Sequence, residues 1–448
     1  MPDPLRTYAA TAVIGDEHVT PPPGLLSDSL RTRLRRLRTD ADLQEWTAAA
    51  NEWAWYADAR YRACVELRPA TAPIRIGVKD TVAVAGFPTR LGLRRHRHYP
   101  HRTAAALDHL GDDPGLPAQV TAKVVTTEVN IGVGSGCGNP YFPHIDPAGS
   151  STGSGVAVAA GICDLSLATD VLGSTRWPAG RCGVVGLRAT HDPATLNGIF
   201  PLTSTMDAVG WMARTPDDLA LLWPLLGLPP APPRYRLRIG VVQEVLDDDV
   251  EPEILAALHR SADALAEAGH QVGPARIGPA WLYRAAAWEM CSREAWDGYQ
   301  TWRTWIGDDL TDSTRLALES GRTVSDGRFA EIRAAQHRSR IEAAAQFADH
   351  QIDAWLLPLD PDLPRPADAP PPDKTIPTAD QSSYDRDIGY TPIASFLGLP
   401  AITLPVARTT TDAPLAMQLV GPRHTEATLL RLAHDLAART ADLGLVPR

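Results

Sequence analysis

Residues 147–155 read PAGSSTGSG, and residues 169–176 read TDVLGSTR. Each stretch presents a serine directly after a glycine, namely Ser150 and Ser174. Because glycine allows backbone angles and close approaches that other residues resist, both serines are expected on tight turns. The small apolar run at residues 156–160 predicts a buried helix behind the first turn. Two serines presented in this way indicate a nucleophile and a helper.

A glycine-rich loop of this kind can also bind a phosphate or act as a flexible linker. The phosphate-binding motif requires a lysine followed by serine or threonine just after its last glycine, whereas Val156 follows Gly155 here. A linker is polar throughout, whereas this loop continues directly into an apolar run. Both alternatives are therefore disfavoured against a catalytic loop.

A serine nucleophile needs a base, and the chain offers Lys79 at the end of a predicted strand. Ile74, Ile76 and Val78 alternate with other residues, as in a half-buried strand. On this pattern alone, a lysine at a strand end is usually a solvated charge. The assignment of Lys79 as a base therefore depends on a wider similarity.

Three blocks of the sequence resemble the signature of the amidase signature family of serine hydrolases. They are GVKD at residues 77–80, GSSTGS at residues 149–154 and TDVLGSTR at residues 169–176. The likeness continues through both halves of the chain, from about Pro73 to Ala438. It implies an α/β fold, with a single α/β/α domain around a large mixed β-sheet.

In this interpretation the fold domain comprises residues 71–448, and residues 1–70 form an irregular segment and helices packed on it. Residues 224–234 and 360–377 are expected to be loops within one continuous fold. Residues 237–272 show the pattern of a strand, a helix and a second strand, which agrees with such an architecture.

The resemblance implies acyl transfer through a Ser-cisSer-Lys triad. The family's nucleophile, proton relay and general base match Ser174, Ser150 and Lys79. The lysine acts as a base only if burial and its neighbours lower its pKa from about 10.4 toward about 7 to 8. The backbone N–H groups of residues 171–174 are expected to form the oxyanion hole. The expected substrate-binding residues are Val171, Leu172, Gly173, Thr127 and Cys137.

The chain departs from the family's usual pattern at two glycine positions. Leu172 replaces the first of two glycines before the nucleophile, and Thr152 stands where glycine is common. Neither change removes a catalytic atom, but Leu172 is expected to narrow the leaving-group side of the site. The usual substrate range of the family is therefore not carried over to this chain.

Four further polar residues of the serine loops are expected to support the catalytic groups rather than to react. Asp170 and Arg176 flank the nucleophile turn and are expected to brace it. Ser151 and Ser154 are expected to form hydrogen bonds within the first loop.

Three functions remain open from the sequence. The first is hydrolysis of a small or non-peptide amide through an acyl-enzyme on Ser174. The second is an acyltransferase that passes the same acyl group to an amine, alcohol or thiol. The third is a non-catalytic scaffold or a subunit of an amidotransferase complex, and the intact triad argues against a dead scaffold. A cysteine nucleophile at Cys137 is disfavoured because two matched serines are present.

Composition and charge limit the partners and cofactors. The formal charge of −10 disfavours a nucleic acid, which binds basic surfaces. Five cysteines without a Cys-x-x-Cys pair indicate a reduced, intracellular protein without a zinc site. The N-terminus lacks a signal-peptide pattern, and no apolar run reaches the roughly 18 residues of a membrane helix.

We therefore expect a cytoplasmic enzyme that acts on a small-molecule amide or acyl substrate. We expect neither a metal nor another cofactor, and neither a nucleic acid nor a membrane as a partner. A homodimer is compatible with the resemblance, because dimerisation is common in such enzymes.

Two further stretches each have a structural and a functional interpretation. Residues 94–102 hold four arginines and three histidines, which either bind an acidic substrate or form an exposed loop. Repulsion between like charges favours the exposed loop. Residues 281–305 hold seven tryptophans and tyrosines, which either pack in the core or line a pocket for a bulky acyl group.

Overall fold

The computed structural model of the chain describes residues 19–132, 134–230, 236–306, 309–370, 372–375 and 388–440. The segment before residue 19 lies outside these ranges, as do parts of the predicted loops at 224–234 and 360–377. The described residues form eleven β-strands and twelve α-helices, joined by loops and short 3-10 turns.

One sheet runs through the described chain. Its strands are β1 (Cys64–Leu67), β2 (Ile74–Lys79), β3 (Ala118–Val124), β4 (Leu165–Asp170), β5 (Val185–Arg188), β6 (Ala208–Ala213), β7 (Arg238–Val242), β8 (Gln271–Ala275), β9 (Ala354–Pro358), β10 (Ala401–Arg408) and β11 (Pro414–Val420). Their order is β1-β3-β2-β4-β6-β5-β10-β11-β9-β7-β8. β2 is parallel to β3 and β4, and β7 is parallel to β8 and β9, whereas the other neighbours pair antiparallel. The expected large mixed sheet is confirmed.

The described chain also contains twelve α-helices. They are α1 (Leu30–Arg36), α2 (Asp40–Tyr61), α3 (Thr152–Ala159), α4 (Arg176–Arg181), α5 (Pro216–Leu221), α6 (Gln243–Leu246), α7 (Pro252–Glu267), α8 (Arg284–Ile306), α9 (Asp312–Ser320), α10 (Asp326–Asp349), α11 (Pro392–Leu397) and α12 (Glu426–Ala437). None of these described helices combines the length and the apolar character that a membrane crossing requires.

The centre of the sheet is covered on both faces. Strands β2, β4 and β6 are buried at every position, which is the pattern of strands packed between two layers. Helix α3 packs against β2, β3 and β4. Behind it, Trp53 of α2 donates its Nε1–H to the Ala160 carbonyl at 2.8 Å. The N-terminal helices are thereby attached to the segment that follows the first serine loop.

The predicted strand, helix and strand in the second half are confirmed as β7, α7 and β8. The two strands are parallel, with Ile239 paired to Val272. Helix α7 begins at Pro252, which suits the first helical turn because the missing N–H would have no intrahelical partner there. Its apolar face is buried through Ile254, Leu258 and Leu265.

Candidate active site

Strand β2 delivers Lys79 into the core at its C-terminal end. All six positions of the strand are buried, and the Lys79 side chain has 0% exposure. Its Nζ donates to Ser150 Oγ and to Thr169 Oγ1, each at 2.8 Å. An interior amine needs such partners, because an unpaired buried polar group is costly. The structure therefore brings the residues predicted as base and relay into direct contact.

Ser150 lies on a loop that packs closely against the chain following β3. The peptide bond between Gly149 and Ser150 is cis, and Ser150 is 5% exposed. The Thr127 N–H donates to the Ser150 carbonyl at 3.1 Å. A Cβ at Gly153 would lie 2.2 Å from the Val125 nitrogen, so only glycine fits where helix α3 begins.

Ser174 lies on a turn whose shape depends on Gly173. Gly173 has a φ of +122°, and a Cβ there would lie 2.4 Å from Trp177 Cδ1. Both the angle and the space therefore require glycine. Ser174 is half-buried, and its carbonyl accepts the Ser151 N–H at 3.2 Å. This bond joins the two serine loops to each other.

Among the described residues, Lys79 Nζ donates a hydrogen bond to Ser150 Oγ, but no hydrogen bond joins the Oγ atoms of Ser150 and Ser174. Catalytic hydrogen bonds are often long before substrate binds and tighten in the complex. The arrangement thus holds the predicted base and the predicted relay together and presents Ser174 on an adjoining turn.

The buried carboxylate of Asp170 holds this turn in place through hydrogen bonds. Asp170 accepts the Gly173 N–H at 3.0 Å and the Thr175 N–H at 3.1 Å, on either side of Ser174. Its ion pairs with Arg176 and Arg188 measure 2.9 and 3.0 Å, and all three side chains are fully buried. The expected Asp170–Arg176 brace is present and is completed by a second arginine.

The two arginines determine the charge state of this carboxylate. Burial raises the pKa of Asp170, but the charges of Arg176 and Arg188 outweigh that effect. The pKa is held well below its usual range, so the carboxylate remains ionised and keeps its hydrogen bonds to the turn.

Two backbone N–H groups beside Ser174 are available to an oxyanion. The Gly173 N–H is directed to Asp170, whereas the described chain offers no acceptor to the N–H groups of Leu172 and Ser174. Fixed backbone donors of this kind stabilise negative charge that develops in a transition state. Of the four groups predicted for the oxyanion hole, those of Val171, Leu172 and Ser174 have no acceptor among the described residues, and those of Leu172 and Ser174 lie nearest to the Ser174 side chain along the chain.

Burial makes Lys79 a suitable base at neutral pH. It lowers the pKa of Lys79 to about 7, against the negative charges of Asp170 and Asp207, which raise it. Asp207 is 5% exposed and directly precedes Ala208, which pairs with Asp170 across β6 and β4. Burial raises the pKa of Asp207 to about 7 as well.

We expect kcat/KM to rise with pH through an apparent pKa of about 7, because only neutral Lys79 accepts a proton. The substitution Asp207→Asn retains a side-chain oxygen for the N–H groups of Leu202 and Thr203. It removes a negative charge that raises the pKa of Lys79, so the acidic limb should move to lower pH. Rates of both proteins on an uncharged substrate, from about pH 5 to 9, measure the shift. An unmoved limb would show that Asp207 does not influence the base.

A second buried lysine, Lys123, serves a different purpose. The register pairs it with Val78, which places its side chain on the opposite face of the sheet from Lys79. Its Nζ donates to Thr89 Oγ1 at 3.2 Å and lies 3.8 Å from Asp80 Oδ1. Lys123 therefore braces the chain that follows β2, away from the two serine loops.

Three of the predicted substrate-binding residues, Val171, Leu172 and Gly173, lie in the nucleophile turn. Leu172 is half-buried and packs against the hydrophobic cluster that also contains Met290 of α8. It has no positive φ, so a leucine fits this position without the unusual backbone angle that glycine allows. The Leu172 carbonyl accepts the Thr391 hydroxyl at 2.6 Å.

The other two predicted substrate-binding residues lie in different surroundings. Thr127 follows β3 and contacts the loop that carries Ser150, which we call the relay loop. The buried Oγ1 of Thr127 has no hydrogen-bond partner among the described residues. Cys137 lies near the end of α2, where its Sγ is 3.1 Å from the Arg62 carbonyl. Its role in binding substrate stays a prediction.

The two neighbouring serines of the first loop differ. Ser151 Oγ donates to the Thr169 carbonyl at 3.1 Å, as expected for a loop hydrogen bond. The Ser154 N–H donates to the Ser151 carbonyl at 3.1 Å, but Ser154 Oγ is buried and has no partner among the described residues, so the side chain does not form the expected hydrogen bond. Its position within helix α3 directs it into the packed layer behind the loop.

The aromatic segment at residues 281–305 contributes largely to packing. Trp302 is 5% exposed, and Trp281 stacks on Tyr390 with 5.0 Å between the ring centroids. The core interpretation is therefore supported for these rings. An acyl pocket involving the half-buried Trp288 and Trp296 stays a prediction.

Three residues of the site were not predicted from the sequence. Thr169 shares the amine of Lys79 with Ser150, Asp207 lies close enough to affect its pKa, and Arg188 completes the carboxylate brace. Thr169 immediately precedes Asp170 within the third sequence block, which is a signal that could have identified it. Asp207 and Arg188 are brought to the site by the pairing of β6 with β4 and with β5.

The sequence model of the family described as Amidase matches residues 28–226 and 230–430. A 2-amino-5-chloromuconic acid deaminase of Comamonas testosteroni is 31% identical over 382 residues, covering 81% of this chain and 80% of the relative. A glutamyl-tRNA(Gln) amidotransferase subunit from Deinococcus radiodurans is 32% identical over 484 aligned positions, covering 97% of each chain.

Solved structures share the fold. A 6-aminohexanoate cyclic dimer hydrolase complexed with substrate superposes with a TM-score of 0.78 and 20% identity, covering 95% of this chain and 99% of that chain. A glutamyl-tRNA(Gln) amidotransferase subunit from Thermotoga maritima gives a TM-score of 0.74 and 21% identity, covering 94% and 97%. The whole described architecture thus has close counterparts.

Proposed function

The chain belongs to the amidase family of amide hydrolases, and we propose that Ser174, Ser150 and Lys79 form its catalytic triad. The observation that carries the proposal is the 2.8 Å contact between Lys79 Nζ and Ser150 Oγ in a buried setting. With a pKa of about 7, a substantial fraction of the lysine is neutral at physiological pH. The proposed reaction is hydrolysis of a small amide through an acyl-enzyme.

In the first half of the reaction, Ser174 Oγ attacks the carbonyl carbon of the amide. Its proton passes to Ser150, which gives its own proton to neutral Lys79. The N–H groups of Leu172 and Ser174 bind the oxyanion of the tetrahedral intermediate. Collapse of the intermediate breaks the carbon–nitrogen bond, and the leaving amine takes a proton back from Lys79 through Ser150.

In the second half, water replaces the departed amine. Lys79, again neutral, accepts the water's proton through Ser150, and the hydroxide attacks the ester carbonyl. Collapse of the second tetrahedral intermediate breaks the bond between Ser174 Oγ and the acyl carbon, Ser174 takes back a proton from Lys79 through Ser150, and the acyl group leaves as a carboxylic acid. An acyltransferase would differ only in the nucleophile that enters at this point. The ratio of products when an amine is added to an acyl donor separates the two activities.

A second candidate function is participation in an amidotransferase complex. Relatives named as subunits of a glutamyl-tRNA(Gln) amidotransferase are 28% to 32% identical to this chain. We propose a free-standing enzyme, as a monomer or a homodimer, and the triad, which is complete within one chain, argues against a non-catalytic scaffold. Size-exclusion chromatography combined with amide turnover by the purified chain distinguishes the two functions.

We also propose a cytoplasmic location and one catalytic domain over residues 71–448. The location is supported by five free cysteines, which persist in reducing compartments. The domain is supported by one sheet that includes strands from both halves of that range, and β1 adds an edge strand to this sheet from just before residue 71. Limited proteolysis that released a stable half of the chain would contradict the single domain.

The triad is tested with a serine-reactive fluorophosphonate, followed by intact mass and peptide mapping. We expect one adduct, on the peptide that carries Ser174, with the phosphorus–oxygen bond formed as fluoride leaves. Lys79→Ala should lose the adduct, because the base that takes up the proton is missing. Lys123→Ala is the matched control, since it removes a buried lysine from the opposite face of the sheet.

Two outcomes would overturn the triad. The first is an adduct on another peptide, and the second is equal labelling of the wild type and Lys79→Ala. Because the removal of either buried lysine can unfold the chain, thermal melting of each variant is recorded alongside. A Lys79→Met variant, which retains the length of the side chain, repeats the test if Lys79→Ala does not fold.

A further inference from the structure

Resting on the proposed triad, we infer that residues 94–102 and Trp305 form a rim that binds an anionic group of the substrate. The scissile amide would thus belong to a molecule that also carries a carboxylate or a phosphate. We call residues 94–102 together with Trp305 the basic rim. The proposed catalytic residues and the uncharged side chains around them do not need the basic rim in order to hold their positions.

The basic rim begins beside the relay serine. Leu91 accepts the Val129 N–H at 2.9 Å, and a Cβ at Gly92 would lie 2.8 Å from the Thr127 carbonyl. Thr127 in turn donates its N–H to the Ser150 carbonyl. The chain that enters the basic rim is therefore packed on the residue that contacts the relay loop.

The hydrophobic cluster that contains Met290 also connects the basic rim to the turn that carries Ser174. Leu91 and Leu93 are buried in it together with Val171, and Leu172 packs against it. Arg94 follows Leu93 directly and is exposed. The basic side chains thus begin where the apolar wall shared with the nucleophile turn reaches solvent.

The positive charge of the basic rim is largely uncompensated. None of Arg94, Arg95, Arg97 and Arg102 forms an ion pair with a described residue. Asp309 accepts the backbone N–H groups of Arg95 and His96 at 2.6 and 3.0 Å. Its carboxylate therefore holds the backbone of the loop and forms no ion pair with the four described arginines of the basic rim.

Aromatic rings complete the basic rim. His96 contacts Trp305 with 5.2 Å between the ring centroids, and Trp305 contacts Phe200 at 6.2 Å. Trp305 is 51% exposed and Tyr99 is 64% exposed, which is unusual for rings of this size. His96 Nε2 is buried without a hydrogen-bond partner among the described residues. The exposed rings of Trp305 and Tyr99 offer apolar surface beside the arginines.

The chemistry of these groups selects an anion. Guanidinium groups bind carboxylate and phosphate oxygens through paired hydrogen bonds and are only weakly hydrated. The formal charge of the whole chain is −10, which repels anions in general. A local group of unpaired arginines next to the active site counteracts this repulsion. An uncharged amide substrate would gain nothing from it.

The test compares fluorophosphonates of equal length that end in a carboxylate, a phosphonate or the methyl ester of the carboxylate. We expect the carboxylate or the phosphonate reagent to label the wild type at least about tenfold faster than the ester. The faster of the two identifies the anion. Raising the salt from about 0.02 to about 0.5 M should remove most of the advantage, because salt screens exposed charges.

Arg94→Gln/Arg95→Gln should reduce the preference for the anionic reagent to about threefold or less while the ester reacts as before. The control Arg260→Gln/Arg439→Gln removes two exposed arginines from α7 and from the end of α12, and should retain the full preference. Equal rates for the anionic and neutral reagents in the wild type would overturn the basic rim while the triad stands. Labelling by none of the reagents would overturn the triad, and the basic rim with it.

Discussion

Replacing Ser174 by alanine is expected to lower kcat by about ten-thousandfold or more while the fold is retained. In the proposed mechanism the hydroxyl oxygen of Ser174 forms the acyl-enzyme, so only binding and the oxyanion donors remain in the variant. The turn itself is held by Gly173 and by the hydrogen bonds to Asp170, none of which involves Ser174 Oγ. Saturation kinetics on an activated amide, together with a thermal melt, measure both effects.

The other serines of the first loop provide graded controls. Ser150→Ala removes the relay that contacts Lys79 and should cost about a hundredfold to ten-thousandfold in kcat. Ser154→Ala removes a buried hydroxyl without a partner among the described residues, and should retain about wild-type activity. If Ser174→Ala kept activity comparable to that of Ser154→Ala, another residue would have to be the nucleophile.

Local sequence signals place the two serines and the lysine on a turn or at a strand end, whereas the role of Lys79 as the base follows only from the family resemblance. Ser150 and Ser174 are each preceded by a glycine, and Lys79 ends a strand whose alternation is visible. These are local signals, because the backbone angle of a turn and the period of a strand depend on neighbouring residues. For the same reason the unit of β7, α7 and β8 could be predicted.

Features created by pairing between distant segments could not be predicted. Thr169 meets Lys79 across 90 positions of sequence. Asp207 approaches the base because β6 pairs with β4, and that register depends on the whole sheet. The same applies to the sheet order, in which β10 and β11 lie between β5 and β9. The charge of the loop at residues 94–102 was visible in the sequence, but its closeness to the relay loop was not.

The second large effect is expected from Asp170→Asn, which should lower the free energy of unfolding by about 3 to 5 kcal/mol. The carboxylate is fully buried between Arg176 and Arg188, and the substitution leaves two interior cations without their counter-ion. Desolvation of unpaired charge is the physical cause of the loss. Denaturant unfolding of both proteins at neutral pH measures it.

The pH dependence of this difference has a definite sign. The pKa of Asp170 is held below that of an unfolded aspartate by Arg176 and Arg188, so its stabilising effect is complete above about pH 4. It is lost as the pH falls further and the native carboxylate takes up a proton. The stability gap between wild type and Asp170→Asn should therefore narrow only in strong acid.

Asp164→Asn separates stability from catalysis. Asp164 lies just before β4, at the opposite end of the strand from Asp170, and is paired with Arg33 and Arg75 at 2.7 and 2.9 Å. Its loss should destabilise the fold by a similar amount, because it also leaves two buried arginines unpaired. Only Asp170 holds N–H groups on both sides of Ser174. At a temperature where both variants are folded, kcat should fall for Asp170→Asn and not for Asp164→Asn. Equal kcat values would mean that the turn keeps its shape without the carboxylate charge.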